Sequence, residues 1–222
     1  MKLFLSRKSI QNKYSQLLAI ILLLVMVAPT FGGKTGQIVV SGVLLATVTA
    51  IIRTFNLNKR FFFLLLILAG TSFSLHVYTF LQPGFELNNF ILLVVEVIYS
   101  LFIFAALVTI NRKIFLEKKV TADTIQGGIS VFFLIGALWA MLYSIVYHFD
   151  PNAFSESVEL IDLYDSMMYF SFTTLTTLGY GDITPVSGLA RNLANLEAVA
   201  GMMYPAIFIA RLVGLYTAQE MN

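Results

Sequence analysis

Residues 173–182 read Thr173-Thr174-Leu175-Thr176-Thr177-Leu178-Gly179-Tyr180-Gly181-Asp182, a run of threonines that closes on two glycines bracketing a tyrosine. Gly179 and Gly181 admit positive φ, which residues with a Cβ avoid. Alternating permissive and ordinary positions can turn successive carbonyls to one side. Such a row presents oxygen dipoles without formal charge. These dipoles can replace the hydration shell of a monovalent cation and still let it leave. Thr177 can add its hydroxyl oxygen at the inner end. Irregular backbone at membrane depth survives only where it is buried in protein or lines a water-filled cavity. Just upstream lies a short apolar piece, Ser166 to Phe172, preceded by Asp162 and Asp165, which favour a helix start. The uncharged stretch from Ser166 to Gly181 is too short to cross a bilayer as a helix and reads as re-entrant.

The surrounding chain agrees with a membrane setting. Its 222 residues are 58% hydrophobic and 12% charged, against about 45–50% apolar and about 25% charged in soluble domains. Disorder and an ordinary soluble enzyme are excluded. A net charge of +2 does not suggest a nucleic-acid binder. The absence of cysteine excludes disulfide frameworks, thiolate zinc sites and iron–sulfur clusters. The two histidines, His76 and His148, are too few and too far apart for a metal centre, and no P-loop is present, so no cofactor is expected.

A spanning helix needs roughly 20 mostly apolar residues. Uncharged runs lie between Lys13 and Lys34, Lys34 and Arg53, Arg60 and Glu86, Glu86 and Arg112 (broken only by Glu96), Asp123 and Asp150, and Arg191 and Arg211 (broken only by Glu197). The expected fold is therefore an all-α integral membrane protein with six transmembrane helices and a re-entrant pore helix and loop between the fifth and sixth. The first run, preceded by Lys2, Arg7, Lys8 and Lys13, has the look of a signal peptide. Ala28-Pro29-Thr30 lacks a small-x-small cleavage pattern, however, and a second apolar run follows, so a retained helix is expected. With the N-terminus inside, 12 of the 14 basic residues fall on cytoplasmic segments, leaving Lys34 and Arg191 outside. Both termini are then cytoplasmic in a multi-pass protein of the cell membrane. The outer segment between the fifth and sixth helices carries Asp150, Glu156, Glu159, Asp162, Asp165 and Asp182. Its field either concentrates cations or simply solvates a loop.

The decisive stretch resembles the potassium-channel signature T-x-T-T-x-G-Y-G-D, with all seven specified residues matched from Thr174 to Asp182. The resemblance covers roughly Thr124 to Ala218: outer helix, pore helix, filter and inner helix. Carbonyl coordination is the known mechanism of that family's filter. The resemblance implies that Thr177, Leu178, Gly179 and Tyr180 offer backbone carbonyls to K+, Thr177 its hydroxyl as well, and that Gly181 and Asp182 close the outer mouth. Thr174 and Thr176 complete the motif in support of the filter. It further implies a homotetramer around a central axis, with self, membrane lipid and K+ as partners and any regulatory subunit unknown. The pore helix would aim its negative C-terminal end at the cavity below. Many relatives carry tryptophans where Tyr169 and Phe170 stand, and one bacterial relative has glutamate at the position of Thr173. Tyr169 can still donate a hydrogen bond towards Asp182.

The inner helix is expected from about Asn192 to Thr217. Gly201, 22 residues beyond Gly179, stands where similar channels bend, and Pro205 adds a kink, against the plainer reading of Gly201 as a close-packing position. Met202, Pro205, Ile209 and Val213 share a helical face that by similarity lines the pore and could gate by dewetting. Ionisable residues within spans are costly and are functional or paired. Glu96 is expected to pair with His76 at similar depth in the third helix, as a structural hydrogen bond. Glu197 is expected to brace the pore helix from behind through a hydroxyl such as that of Thr173. The fourth span, Asn88 to Ile110, carries no basic residue, so no voltage sensor with a charged fourth helix is expected. The expected division is 1–112 as a peripheral four-helix bundle, 113–123 as a cytoplasmic linker and 124–222 as the pore domain. Function is expected to be passive potassium conduction. The alternatives are the pore subunit of a potassium-uptake system, disfavoured by the single well-matched segment, and a non-conducting scaffold or receptor.

Overall fold

The computed structural model describes residues 13–27, 42, 45–47, 67, 70–71, 73–74, 78, 89–155 and 163–220. The expected second and third spans lie almost wholly outside them. Five helices have defined bounds: α1 (Lys13–Val27), α2 (Asn89–Leu116), α3 (Ala122–Phe149), α4 (Leu163–Leu175) and α5 (Gly188–Glu220). Within them, α2 from Glu96, α3 and α5 are long and apolar enough to cross a membrane. α2 and α5 overrun their expected ends, while α3 keeps to its expected run but for two residues at its start. α2 continues to Leu116 through Arg112 and Lys113, so the connection to α3 shrinks to residues 117–121. Charged residues end an apolar run without ending a helix, because Arg and Lys are good helix formers.

α3 is the helix the others pack on. Thr121 caps it in extended conformation, its hydroxyl accepting from the Thr124 N–H at 3.2 Å. Asp123 in the first turn accepts from the Tyr14 N–H at 3.2 Å, which ties the start of α1 to the start of α3. Leu17 and Ile21, one turn apart on α1, join a buried apolar cluster with Ile103, Ala106 and Ile110 of α2 and Val131, Leu134, Ala137 and Ala140 of α3. Small residues let neighbours close in: the Phe172 ring of α4 lies against Gly136, where an added Cβ would meet it at 2.8 Å.

A second cluster builds one end of the bundle from Tyr143, Phe154, Leu163, Met167, Phe170, Ile183 and Ala190. Tyr143, Phe154 and Phe170 pack edge to face, with centroids 4.9–5.8 Å apart. Residues 153–155 run against 184–187, with Ser155 N–H on the Thr184 carbonyl (2.9 Å) and Val186 N–H on that of Ala153 (2.7 Å). This clasp ties the far end of the loop after α4 to the chain that leaves α3. The Ser187 hydroxyl then accepts from the Ala190 N–H (3.2 Å) and caps α5 four residues before the expected start. At the opposite end Arg211 donates to the carbonyls of Phe115 (3.2 Å) and Glu117 (3.5 Å). Arg211 thus joins the end that carries Arg112, Lys113, Lys118 and Lys119, while Asp150, Asp165 and Asp182 lie at the other.

Candidate functional site

The loop after α4 hangs from the carbonyls of that helix's last turn. Thr177 N–H donates to Thr174 (3.0 Å), and Leu178 and Gly179 N–H both donate to Thr173 (2.8 and 3.1 Å). In a trans peptide the carbonyl points opposite its N–H, and no cis bond occurs among the described residues. The carbonyls of Thr176, Thr177 and Leu178 therefore face away from α4. Backbone φ is +58° at Thr177, +55° at Gly179 and +81° at Gly181. Alternate residues are thus left-handed, as the carbonyl-row reading needs. An added Cβ at Gly179 or Gly181 would meet nothing within 4 Å, so glycine serves conformation there and not space. Thr177 was not foreseen as a left-handed residue, since nothing in a threonine signals it. Such a conformation costs on the order of 1–3 kcal/mol and collects at functional sites. The hydroxyls of Thr173 and Thr176 turn back on α4, to the carbonyls of Phe170 (2.9 Å) and Phe172 (2.6 Å). Residues 176–182 are exposed.

Beyond the glycines, the Tyr169 hydroxyl donates to Asp182 at 2.5 Å and the Tyr169 ring stacks on Tyr180 with 8° between planes. The second Asp182 oxygen accepts from the Ile183 N–H at 3.0 Å. The Tyr169 hydrogen bond is the chief reason the Asp182 carboxyl is held below its ordinary range.

Behind the loop, Glu197 of α5 is fully buried. It accepts from Tyr143 of α3 and meets Ser171 of α4, each at 2.5 Å. The expected bracing hydroxyl is thus Ser171, because Thr173 spends its hydrogen on Phe170. Tyr143 was missed, since depth along α3 is not a sequence pattern that points at α5. Gly201, one turn after Glu197, faces the Leu175 carbonyl so closely that a Cβ would overlap it. Gly201 is therefore a close-packing position, whatever bending α5 undergoes. Pro205 lies within a continuous helix and leaves the Gly201 carbonyl without its intrahelical donor. Met202, Ile209 and Val213 are all more than half exposed.

Glu96 lies with its Oε1 accepting from Ser144 Oγ at 2.7 Å and its Oε2 3.3 Å from His148 Nε2. His76, the expected partner, lies outside the described residues. His148 was legible in principle. α2 runs from one end of the bundle and α3 returns to it, so positions near 96 and 144–148 share a depth.

Residues 129–218 match a family model described as "Ion channel". The chain is 38% identical over 80 residues to Protein LctB of Bacillus caldotenax, covering 34% of this chain and 59% of that protein. It is 26% identical over 91 residues to the inward rectifier potassium channel Kirbac3.1 of Paramagnetospirillum magnetotacticum, covering 39% of this chain and 28% of that one. This part of the chain is similar to ion-channel domains. The matched stretch runs from α3 through the loop to the end of α5, so it contains the site described above. The chain spans about three-fifths of the length of the LctB proteins it matches. No solved structure matches significantly.

Proposed function

We propose that this chain forms a potassium-selective channel, four copies surrounding one conduction path in the cell membrane. The observation that carries the reading is the loop backbone: left-handed residues at Thr177, Gly179 and Gly181, with N–H groups turned back onto α4. This leaves a file of carbonyls for a partly dehydrated monovalent cation. A single copy lines only one side of that file, so a closed ring of copies is needed. Thr177, Leu178, Gly179 and Tyr180 supply the oxygens, Thr177 adds its hydroxyl, and Asp182, held by Tyr169, frames the mouth. Each oxygen is a weak dipole, so a bound ion is displaced by the next and conduction is passive.

The basic end of the bundle faces the cytoplasm by the distribution of Lys and Arg, leaving the acidic end outside to enrich cations. Met202, Ile209 and Val213, exposed on α5, line the path below the filter. α2 carries no base before Arg112, so it supplies no row of basic gating charges to a membrane potential. The test is reconstitution of the purified protein in lipid vesicles under opposing potassium and sodium gradients. Barium-blocked potassium flux is expected. Equal passage of sodium, or a particle without fourfold symmetry, sinks the proposal.

A further inference from the structure

The hydrogens around Glu197 can be counted. Ser171 Oγ lies 2.8 Å from the Gly136 carbonyl and 2.5 Å from Glu197 Oε1, while Tyr143 Oη lies 2.5 Å from Glu197 Oε2. These are three contacts. Tyr143 and Ser171 each own one hydrogen, and the Gly136 carbonyl can only accept. If Ser171 donates to Gly136, the contact between Ser171 and Glu197 needs a hydrogen on Glu197. An ionised carboxylate leaves that contact, or the Gly136 one, without a hydrogen; a carboxylic acid satisfies all three. The surroundings favour the same state. Glu197 is fully buried, its hydrogen-bond partners are Tyr143 from α3 and Ser171 from α4, and among the described residues it has no cationic partner. A bare charge there is expensive.

The same residue sits where it can set the filter's position. Glu197 and Gly201 occupy one face of α5 and meet α4 at two points, by the hydrogen bond to Ser171 and by contact with the Leu175 carbonyl. Between those points lies Thr173, whose carbonyl receives the N–H groups of Leu178 and Gly179. Displacement of α4 by a fraction of an ångström moves the whole carbonyl file. We propose that Glu197 is a positioning residue of the pore, held as an un-ionised carboxylic acid whose proton goes to Ser171, so that α3, α4 and α5 are locked directly behind the filter. The effect on selectivity rests on the potassium-filter reading above; the protonation state does not.

The experiment uses the full chain in two measurements. Infrared spectroscopy of the protein in lipid at neutral pH is expected to show a protonated-carboxyl carbonyl band that is absent from Glu197→Gln. If wild type lacks that band, the inference is overturned. In vesicles, Glu197→Ala is expected to lose about tenfold in potassium-over-sodium permeability, the equivalent of one buried hydrogen bond. Glu197→Gln, whose amide can donate to Ser171 and accept from Tyr143, is expected to stay within about twofold of wild type. Should Glu197→Ala not assemble, Ser171→Ala is expected to give the same tenfold loss. Unchanged selectivity in whichever of these two assembles overturns the positioning role. A wild type that carries the band but passes sodium equally would instead remove the potassium-filter reading, and the positioning role with it.

Discussion

α3 and α5 are both long, apolar and dotted with glycine, yet the chain treats them differently. The most apolar stretch of α3 is 56% buried and that of α5 only 11%. α3 is met by α1, α2, α4 and α5. α5 buries one narrow line, Ala190, Glu197, Gly201 and Phe208, at helical spacing. Most of the rest is half-buried or exposed, and the loop backbone beside it is exposed as well. Lipid can cover a bare apolar helix but not bare carbonyls. The lesson is that one copy covers much of α3, whereas most of α5 and the loop are left for protein or water from outside it.

The sharpest way to break this contrast is at the α5 seam. Gly201→Ala drives a methyl into the backbone carbonyl of Leu175, which has no rotamer to yield. About 3 kcal/mol of destabilisation or more is expected, with loss of the assembled particle, as measured by thermal melting and size-exclusion chromatography in detergent. The matching change in α3, Gly128→Ala, meets only the ring of Phe208 and should cost less; equal costs would contradict the account.

Next in size are truncations in the two helices. Leu134→Ala empties a fully enclosed site and is expected to cost about 2–5 kcal/mol in a denaturation assay. Val213→Ala, 59% exposed, is expected to change the fold of one copy by no more than about 0.5 kcal/mol. If Val213→Ala nonetheless weakens assembly in a dilution series, the bare face of α5 is an inter-copy surface. A smaller effect belongs to the loop. Gly179→Ala forces a Cβ into left-handed backbone at a cost of roughly 1–2 kcal/mol, with reduced selectivity in flux assays and no effect on helix content.

The smallest effect is a pH shift at the mouth. The hydrogen bond from Tyr169 lowers the folded-state pKa of Asp182. Its stabilisation is therefore complete above the ordinary carboxylate value, about 4, and is lost as pH falls through the lowered folded value. Tyr169→Phe should move acid inactivation of flux to higher pH. An unshifted acid limb would mean that the contact has no part in holding the mouth.

Local chemistry made much of this visible in the residues themselves. The alternating glycines of the loop, the apolar runs of α2, α3 and α5, and the donor at Tyr169 within reach of Asp182 all act over a few residues or through composition. The ends of the helices were less legible, because a charge that ends an apolar run does not end a helix.

What the sequence by itself determined was a membrane chain whose glycine-bearing segment 173–182 can present carbonyl oxygens to a cation. Only the tertiary structure decided that Thr177 joins the glycines in left-handed backbone, that Glu197 meets Tyr143 and Ser171 and not Thr173, that Glu96 lies between Ser144 and His148, and that Gly201 exists to admit the Leu175 carbonyl. Each of these pairs residues from different helices, or bends one residue to suit contacts made by its neighbours. The rotation and depth at which helices meet follow from packing many side chains at once, and no local pattern carries that information.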